Sequence, residues 1–409
     1  LSVELEDRDF VPVIFGSDIN TYSMARAFHE AYRVKSTVVG KYAGGPSFAS
    51  RIVDFLARET IESDATFREV VNGLATANAP KKLLLLGCGD SYVELISKFR
   101  DEFPANVIAP VVAHEQLLEL IRKDRFYAAC RENGIPYPAT FVYERHAGHD
   151  YSLGFDFPAI VKPANGTSWW EHPFTGQKKA HRVATRDELD QLIDRIYEAG
   201  YTDSLILQEF IPGDDSHMRV LTCYSDQNGK VTLAALGHVL LEEHTPKGIG
   251  NHAAILTGAQ APIVKVLTGF LEKIGYMGFS NFDIKHDARD GTDRVFELNA
   301  RQGRSNFYVT GSGYNLARYL VEDRLRGQSQ GFTLATNEVL WLVIPMRVAL
   351  TYVTDESLRS RMRTLDRRGK VVNPLFYGGD YRPRRFASIM RSHLSHAGKF
   401  RQYYRPGAV

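Results

Sequence analysis

The chain has 409 residues, of which 44% are hydrophobic and 24% are charged, and its formal net charge at pH 7 is +2. This length allows two or three domains with buried cores, and the near-neutral charge excludes a general attraction to polyanions as a guide to function. The acidic start has no apolar signal core, and no apolar run approaches the roughly 20 residues of a membrane helix. The three cysteines are too widely spaced for a metal motif. We therefore expect a globular cytoplasmic protein.

The first third of the chain alternates strand and helix patterns. Residues 9–16 are typical of a buried strand that ends at a glycine, and a helical pattern follows behind a cap at Ser17 or Asp18. The same order of strand, glycine turn and helix recurs at residues 82–98 and 107–121. This alternation predicts a parallel sheet that binds ligands at the carboxyl ends of its strands.

Two of these turns, residues 16–18 and 89–90, are the expected small-molecule pocket. The second turn belongs to a Gly-Cys-Gly-Asp sequence that lacks the third glycine of a dinucleotide-binding motif, so we do not expect NAD there. The alternative is that both segments are merely tight turns.

The next stretch carries a buried lysine beside a glycine-rich loop. Lys162 lies near the end of a predicted strand at residues 157–163. Because burying an unpaired ammonium group is costly, Lys162 should have an anionic partner. The loop at residues 164–176 is rich in glycine and hydroxyl groups, and such a loop can cover phosphates with its backbone N–H groups.

A predicted strand at residues 205–211 runs into a proline-glycine turn that holds two aspartates. The end of a strand offers an N–H and a C=O side by side, which is the donor and acceptor pair that an adenine edge can meet. The second aspartate, Asp215, could hold a ribose hydroxyl. The alternative is an acidic turn in solvent.

Residues 219–240 alternate as two strands around an Asp-Gln-Asn-Gly turn, which is a strong hairpin signal. The loop that follows, residues 242–252, is rich in glycine and carries two histidines. Because these histidines lack the spacing of a zinc site, we expect a flexible loop on the substrate side of the molecule.

A second predicted hairpin lies within residues 278–306. Asp283 lies near the end of its first strand, and Glu297 and Asn299 lie two residues apart on the second, where the period of two sends both side chains to one face. Two carboxylates and an amide oxygen suit Mg²⁺, which leaves its other positions to water and phosphates. Arg301 follows at once and would place positive charge beside a phosphate on that metal. The alternative is an exposed polar hairpin.

The last fifty residues are strongly basic. Residues 357–409 hold 13 Lys and Arg against two Asp and no Glu, and aromatic residues are interleaved with them. No recognised motif supports nucleic-acid binding. We therefore expect this segment to contact an anionic substrate or the anionic inner surface of the membrane.

Together these features make a nucleotide site shared between two lobes. In order and spacing, residues 115–322 resemble the ATP-grasp superfamily, whose members join a carboxylate to an amine with ATP and Mg²⁺. The resemblance implies an α/β fold with three parts. They are an N-terminal parallel-sheet domain at residues 1–114, an ATP-grasp domain at 115–330 with a lid at about 155–207, and a basic C-terminal extension at 331–409.

Five segments narrow the resemblance to the D-aspartate ligase family of bacterial peptidoglycan crossbridge assembly. They are VPVIFGSDINTYSMARAFHEA (11–31), LLGCGDSYVELI (85–96), FIPGDDSHMRVL (210–221), LGHVLLEEHTPKGIGN (236–251) and FELNARQGRSN (296–306). The resemblance implies an enzyme that attaches the β-carboxylate of D-aspartate to the side-chain amine of a diamino acid in a peptidoglycan precursor. A ligase for another carboxylate and a non-catalytic nucleotide sensor are the alternatives.

The resemblance also implies roles for individual residues. The ATP contacts would be Lys123 and Lys162 on the phosphates, Gln208, Glu209, Phe210 and Ile211 around the adenine, and Asp215 on the ribose. The Mg²⁺ ligands would be Asp283, Glu297 and Asn299, and the catalytic cations would be Arg301 and Lys162. We expect the amino acid to contact Ser17, Asp18, Arg304, Ser305 and Asn306. This chain departs from the usual superfamily pattern in two places. Ala300 follows Asn299 at a position where the superfamily usually has proline, and the phosphate loop lacks a dense run of glycines. Ser168 and Lys179 are therefore only candidate contacts of that loop.

Overall fold

The computed structural model describes residues 9–246 and 248–405, without the side chain of Thr167. Its strands form three sheets of five, four and eight strands. The first third of the chain builds the five-stranded sheet, the middle builds the four-stranded sheet, and the remainder builds the eight-stranded sheet. This order of sheets along the chain is what positions the candidate site between them.

The N-terminal sheet is parallel throughout, as predicted, with the strand order β3-β2-β1-β4-β5. Its strands are β1 (Phe10–Phe15), β2 (Ser36–Gly40), β3 (Val53–Ala57), β4 (Lys82–Gly87) and β5 (Val107–Ile108), and its helices are α1 (Ile19–Tyr32), α2 (Asp64–Asn78) and α3 (Asp90–Phe99). The central strands β1 and β4 are apolar on both faces because helices cover both sides of the sheet.

Asp18, not Ser17, caps the first helix. Its carboxylate accepts hydrogen bonds from the N–H groups of Asn20 at 3.0 Å and Thr21 at 3.3 Å. Gly16 precedes the cap with φ +137°, and a Cβ there would lie 2.5 Å from the Thr21 hydroxyl oxygen. Glycine is therefore required where the strand turns into the helix.

The helical pattern of residues 115–133 predicts one helix, but the structure has two, α4 (His114–Ile121) and α5 (Lys123–Glu132). Arg122 breaks the stretch because it is extended, with φ −77° and ψ 122°. Its guanidinium group is held by Asp124 at 3.1 Å and by Asp203 at 2.9 Å. Lys123 consequently lies at the start of α5, and its N–H donates to the carbonyl of Ala164 at 3.2 Å.

The middle of the chain forms an antiparallel sheet with the order β6-β9-β7-β8. Its elements are β6 (Thr140–Tyr143), β7 (Ala159–Pro163), α6 (Gly166–Glu171), β8 (His181–Val183), α7 (Arg186–Glu198) and β9 (Leu205–Glu209). The predicted loop at 164–176 thus contains a short helix. Trp169 is 2% exposed and packs edge-on against Phe174 and Tyr201, which fixes that helix on the sheet.

The largest sheet has the order β14-β13-β10-β11-β12-β16-β17, and β15 pairs with β11. Its strands are β10 (Met218–Ser225), β11 (Val231–Glu242), β12 (His252–Ala259), β13 (Gly278–Asp287), β14 (Thr292–Asn299), β15 (Thr333–Leu334), β16 (Leu340–Leu342) and β17 (Val371–Val372), and the helices among them are α8 (Pro262–Lys273), α9 (Phe307–Gly311) and α10 (Leu316–Arg324). Both predicted hairpins are confirmed, because β10 pairs with β11 and β13 with β14 in antiparallel register.

The C-terminal residues are packed onto this sheet. They form α11 (Met346–Tyr352), α12 (Glu356–Arg367) and α13 (Pro383–Tyr403), and they bury the side chains of Met362, Leu365 and Phe400. Because β15, β16 and β17 belong to the eight-stranded sheet, part of the expected extension is integral to the core. The domain boundaries at residues 114 and 330 stay a prediction. Over the described ranges, no helix combines the length and apolar character needed to cross a membrane.

Candidate active site

The hairpin of β13 and β14 brings three oxygen-bearing side chains together, as predicted. Asp283 and Glu297 are direct cross-strand neighbours, and Asn299 lies one pleat further along the same face. The Asn299 amide donates to Asp283 Oδ2 at 3.2 Å, and its carbonyl oxygen accepts from Arg301 at 3.2 Å. The set is therefore pre-arranged by the register of two adjacent strands.

The two carboxylates have opposite electrostatic surroundings. Burial and the facing Glu297 carboxylate raise the pKa of Asp283 to about 7. Burial also opposes ionisation of Glu297, but Lys179, Lys123 and Lys162 outweigh it and hold the pKa of the Glu297 carboxyl well below its usual range. Repulsion between two carboxylates on one face is what a divalent cation would relieve.

The donor set fits Mg²⁺ rather than an all-protein metal cage. Across residues 9–246 and 248–405, no three His, Cys, Asp or Glu side chains gather as a metal cluster. Two carboxylates with one amide oxygen are instead the partial set that leaves positions for water and nucleotide phosphates. Asp283, Glu297 and Asn299 are thus suited to hold Mg²⁺ when phosphates complete its coordination.

Three lysines surround Glu297. Lys123 Nζ lies 3.4 Å from its carboxylate, and Lys179 Nζ lies 3.9 Å from it. Lys162 Nζ donates to Gln208 Oε1 at 2.9 Å and lies 4.7 Å from the centre of the Phe296 ring. They come from the start of α5, the end of β7 and the segment before β8, so three separate elements direct positive charge at one carboxylate.

The anionic partner expected for Lys162 is not a protein side chain, since within the described residues no carboxylate lies within 4.0 Å of its ammonium group. An amide oxygen and an aromatic face are its contacts instead. Burial lowers the pKa of Lys162 to about 7. A buried cation with only neutral contacts is a suitable partner for a bound phosphate.

The residues predicted around the adenine differ in what they do. Gln208 is buried, and its side chain lies between Lys162 and the Thr140 hydroxyl, to which it donates at 2.9 Å. The Glu209 carboxylate pairs with Arg289 at 2.6 Å. The Phe210 ring lies under the Arg182 guanidinium group at 4.3 Å. Gln208 is therefore a positioning residue for Lys162.

The backbone at the end of β9 is partly used. The N–H of Glu209 donates to Ala139 at 2.8 Å, and that of Phe210 donates to Pro158 at 3.3 Å. Ile211, the next residue, is buried at 2% exposure, and it follows the point where the strand pairing ends. Glu209 and Phe210 therefore use their N–H groups within the protein, and Ile211 is the next position at the end of the strand.

Asp215 links the acidic turn to the loop after β11. Its Oδ2 accepts from the N–H of Glu242 at 2.8 Å and contacts His244 Nε2 at 2.9 Å. Burial and the nearby Asp215 and Asp283 carboxylates raise the pKa of Glu242 to about 8. Lys285, two residues from Asp283 on the same face of β13, donates to the carbonyl of Gly213 at 3.1 Å.

Glu242 and Lys285 were not predicted as residues of this site. Lys285 could have been found from the alternation of β13, which places it on the face of Asp283. No local pattern identifies Glu242, because its burial depends on the turn at residues 212–217.

Arg301 joins the hairpin to the N-terminal sheet. Its guanidinium group contacts Asp90 at 2.7 Å and Asn299 at 3.2 Å. Asp90 is the first residue of α3, so one of the two predicted pocket turns meets the arginine directly. The neighbouring Gln302 is buried and donates to the carbonyl of Gly87 at 3.3 Å.

The residues expected to contact the amino acid occupy two kinds of position. Arg304 lies 3.4 Å from Glu243, and Ser305 is 3.2 Å from His252 Nδ1. Asn306 is fully buried and donates to Asn20 Oδ1 at 2.7 Å, which fastens this turn to α1. In this structure Asn306 therefore supports the turn and does not face an open surface.

The other two candidate residues lie on the N-terminal sheet. Asp18 uses one carboxylate oxygen, Oδ1, to cap α1, and Ser17 is partly exposed beside it. Gly45, with φ +65°, packs so closely on the backbone of Ser17 that a Cβ at Gly45 would lie 2.4 Å from the Ser17 carbonyl oxygen. The loop after β2 thus borders the turn at Ser17.

Solved structures share this architecture. The L-amino acid ligase of Bacillus licheniformis superposes with a TM-score of 0.56 at 18% identity, covering 78% of this chain and 75% of that one. An ADP complex of N5-carboxyaminoimidazole ribonucleotide synthetase gives 0.60 at 12% identity, covering 88% and 85%. The biotin carboxylase domain of Hydrogenobacter thermophilus 2-oxoglutarate carboxylase, complexed with MgADP, gives 0.60 at 11% identity, covering 80% and 72%. The fold is that of the ATP-grasp carboxylate-amine ligases.

A comparison with curated proteins identifies the family. The chain is 37% identical over 412 residues to D-aspartate ligase of Enterococcus faecium (strain Aus0004), covering 98% of each sequence. No family model matches the chain. The chain belongs to the D-aspartate ligase family and is an ATP-dependent ligase that joins a carboxylate to an amine.

Proposed function

We propose that this enzyme activates the β-carboxylate of D-aspartate with ATP and joins it to the side-chain amine of the diamino acid in a peptidoglycan precursor. The observation that carries the proposal is the convergence of Asp283, Glu297 and Asn299 with three lysines and Arg301 at one end of the β13–β14 hairpin. Its substrates are inferred from the 37% identity to D-aspartate ligase. The reaction takes place in the cytoplasm, where ATP and the precursor are both available.

Asp283, Glu297 and Asn299 hold Mg²⁺ in this proposal, and the ion neutralises charge on the nucleotide phosphates when it is bound. Lys123 and Lys162 bind the same phosphates, and Lys179 reaches them from the lid. Bound phosphate favours the ammonium form of Lys162, since an opposite charge raises the pKa of a lysine. The adenine lies at Gln208 to Ile211, and Asp215 binds the ribose.

The chemistry needs two displacements. An oxygen of the β-carboxylate attacks the γ-phosphorus, the bond to ADP breaks, and an acyl phosphate forms. The acceptor nitrogen then attacks the acyl carbon, the C–N bond forms, and inorganic phosphate leaves as the nitrogen gives up its proton. Arg301, fixed between Asp90 and Asn299, supplies a permanent positive charge beside the transferred phosphoryl group and the tetrahedral oxyanion.

The amino acid binds between Arg304 and Ser305 on one side and Ser17 and Asp18 on the other. Arg304 is the cation for its second carboxylate, and Asp18 is the acid for its ammonium group. Asn306 contributes by holding the turn through its bond to Asn20. The loops at residues 164–176 and 243–251 cover the site and exclude water, which would otherwise hydrolyse the acyl phosphate.

Hydroxylamine trapping tests the activation step. With ATP, Mg²⁺ and D-aspartate but no precursor, the enzyme should form aspartyl hydroxamate as hydroxylamine intercepts the acyl phosphate. Glu297→Gln should lower this rate about 100-fold or more, because a charged group at the reacting phosphates is lost. Asp290→Asn removes a carboxylate from the exposed turn of the same hairpin and should have little effect. Tight ATP binding without any hydroxamate would favour a nucleotide sensor.

A peripheral contact with an anionic membrane surface is proposed for α13. This helix contains no Asp or Glu, and Arg384, Arg391 and Arg401 are exposed on it. In the described part of the chain, none of these three arginines has a carboxylate within 4.0 Å, in contrast to Arg361 of α12, which pairs with Glu338. Unpaired surface cations attract anionic lipid headgroups.

A further inference from the structure

The C-terminal helix α13 reaches the proposed substrate side of the enzyme. A small pocket of about 10 Å³, open to solvent, lies between residues 243–245 and this helix. Its lining residues are Glu243, His244, Thr245, His396, Lys399 and Phe400. Glu243 also lies 3.4 Å from Arg304, so the pocket adjoins the proposed amino-acid site without including Arg304 itself.

The end of α13 is held firmly at this place. The rings of His244 and Tyr404 are 4.6 Å apart between centroids, and those of Tyr352 and Phe400 are 5.2 Å apart. His244 is bonded in turn to Asp215 at 2.9 Å. The wall that α13 provides is therefore connected by direct contacts to the nucleotide side of the site.

Three of the polar side chains of the pocket, Glu243, His396 and Lys399, have complementary chemistry. His396 Nδ1 lies 3.2 Å from the carbonyl of His393, which can only accept, so Nδ1 carries the hydrogen and Nε2 keeps a lone pair. The Glu243 carboxylate is 14% exposed. Lys399 is exposed, and within the described residues no carboxylate lies within 4.0 Å of its ammonium group.

We infer that this pocket binds the acceptor substrate, a peptide that carries a free primary amine and carboxylates. Glu243 and the Nε2 atom of His396 accept hydrogen bonds from the ammonium group, and Lys399 pairs with a carboxylate of the same peptide. The pocket has room for about one water-sized group, such as an ammonium group, and it opens to solvent, where the rest of a peptide can extend. The inference rests on the proposed function, because it assigns the second substrate of that reaction.

Separate Michaelis constants for the three substrates test this assignment. Lys399→Met should raise KM for the precursor at least tenfold while KM for ATP and for the amino acid change less than twofold. His396→Gln, which keeps the helix but removes the imidazole, should show the same selectivity. Arg382→Met removes an exposed cation directly before the same helix, outside the pocket, and is the matched control, with no change expected.

Two results would overturn the inference. One is an unchanged KM for the precursor in both pocket variants, and the other is an equal rise in all three Michaelis constants. If the wild-type enzyme shows no precursor-dependent turnover, the proposed function fails, and calorimetric titration with the precursor then tests the pocket alone. Binding at least tenfold weaker in Lys399→Met than in wild type supports the pocket, whereas equal binding refutes it.

Discussion

The charge of Lys162 depends on what lies beside its ammonium group. Its ammonium group has an amide and an aromatic ring as contacts, and burial lowers its pKa from 10.5 to about 7. Near pH 7, and without bound nucleotide, the side chain of Lys162 is therefore close to the midpoint of its titration. Bound phosphates would supply the missing negative charge, so nucleotide binding and the protonation of Lys162 should be linked.

This linkage predicts how stability depends on pH. Between pH 7 and 10 the lysine is protonated in the unfolded chain but largely deprotonated in the folded chain. The free energy of unfolding of the wild type should therefore rise with pH relative to that of Lys162→Met. The difference should grow by at most about 1.4 kcal/mol per pH unit, and urea titrations at pH 7, 8 and 9 without nucleotide would measure it. Lys81→Met is the control, because it replaces an exposed lysine and measures how the loss of a surface lysine changes the free energy of unfolding. A difference between wild type and Lys162→Met that stays constant with pH would contradict the account.

The convergence of the metal-ligand candidates was predictable because it depends on one hairpin. Glu297 and Asn299 lie two residues apart on one strand and therefore share a face, and the hairpin places Asp283 opposite Glu297. The partners of Lys162 and Asn306 were not predictable. Gln208 meets Lys162 through the register of β7 with β9, and Asn20 meets Asn306 across 286 residues of sequence. Such contacts depend on tertiary packing, which no local pattern contains.

Among the elements, the segment between α12 and α13 contributes a buried charge, Asp380. Asp380 is 1% exposed and accepts hydrogen bonds from the hydroxyls of Tyr22 at 2.8 Å and Ser50 at 2.7 Å. It also pairs with the buried Arg385 at 3.1 Å. This network fastens the C-terminal helices to α1 and to the loop after β2, which borders Ser17.

Removing the acid of this network should destabilise the enzyme strongly. Asp380→Ala leaves Arg385 buried without its carboxylate, and breaking a buried pair on one side costs about 3 to 5 kcal/mol. Chemical denaturation of the variant would measure the loss, with Asp366→Ala, at an exposed acid of α12, as the control. A loss below about 1 kcal/mol would show that the C-terminal helices are held by other contacts.

Most helices and strands were predicted from hydrophobic periodicity, and the differences have identifiable causes. The break at Arg122 depends on Asp203, which lies 81 residues further along the chain. The helix α6 forms within a glycine-rich segment because Trp169 packs against Tyr201. Neither partner lies within the window that a periodicity analysis uses.

At the scale of the whole molecule, the small net charge conceals an uneven distribution. The chain carries +2 overall, yet residues 357–409 hold 13 basic and two acidic residues. Some of these basic residues form ion pairs with nearby acids. Arg359 pairs with Glu356 of α12, and Arg385 pairs with Asp380 of the segment between α12 and α13. The exposed arginines of α13 are therefore among the charges of this segment that are available to a partner.

The proposed membrane contact predicts a charge-dependent affinity for vesicles. Replacing Arg384, Arg391 and Arg401 together by Gln should weaken binding to phosphatidylglycerol vesicles roughly 100-fold, at about 1 kcal/mol for each cation, and the effect should shrink as salt rises. Lys35, Arg58 and Lys81, exposed on the N-terminal domain, give a charge-matched control triple. Equal loss in the two triple variants, measured by cosedimentation, would assign the binding to net charge alone.

The central claim is that this enzyme transfers D-aspartate to a peptidoglycan precursor. The most direct measurement supplies ATP, Mg²⁺ and a stem-pentapeptide precursor with D-aspartate, L-aspartate, D-glutamate or D-serine in parallel, and records both ADP release and product mass. We expect the enzyme to turn over with D-aspartate and to form a product heavier by one aspartyl residue. Turnover with a different acid and none with D-aspartate would contradict the central claim.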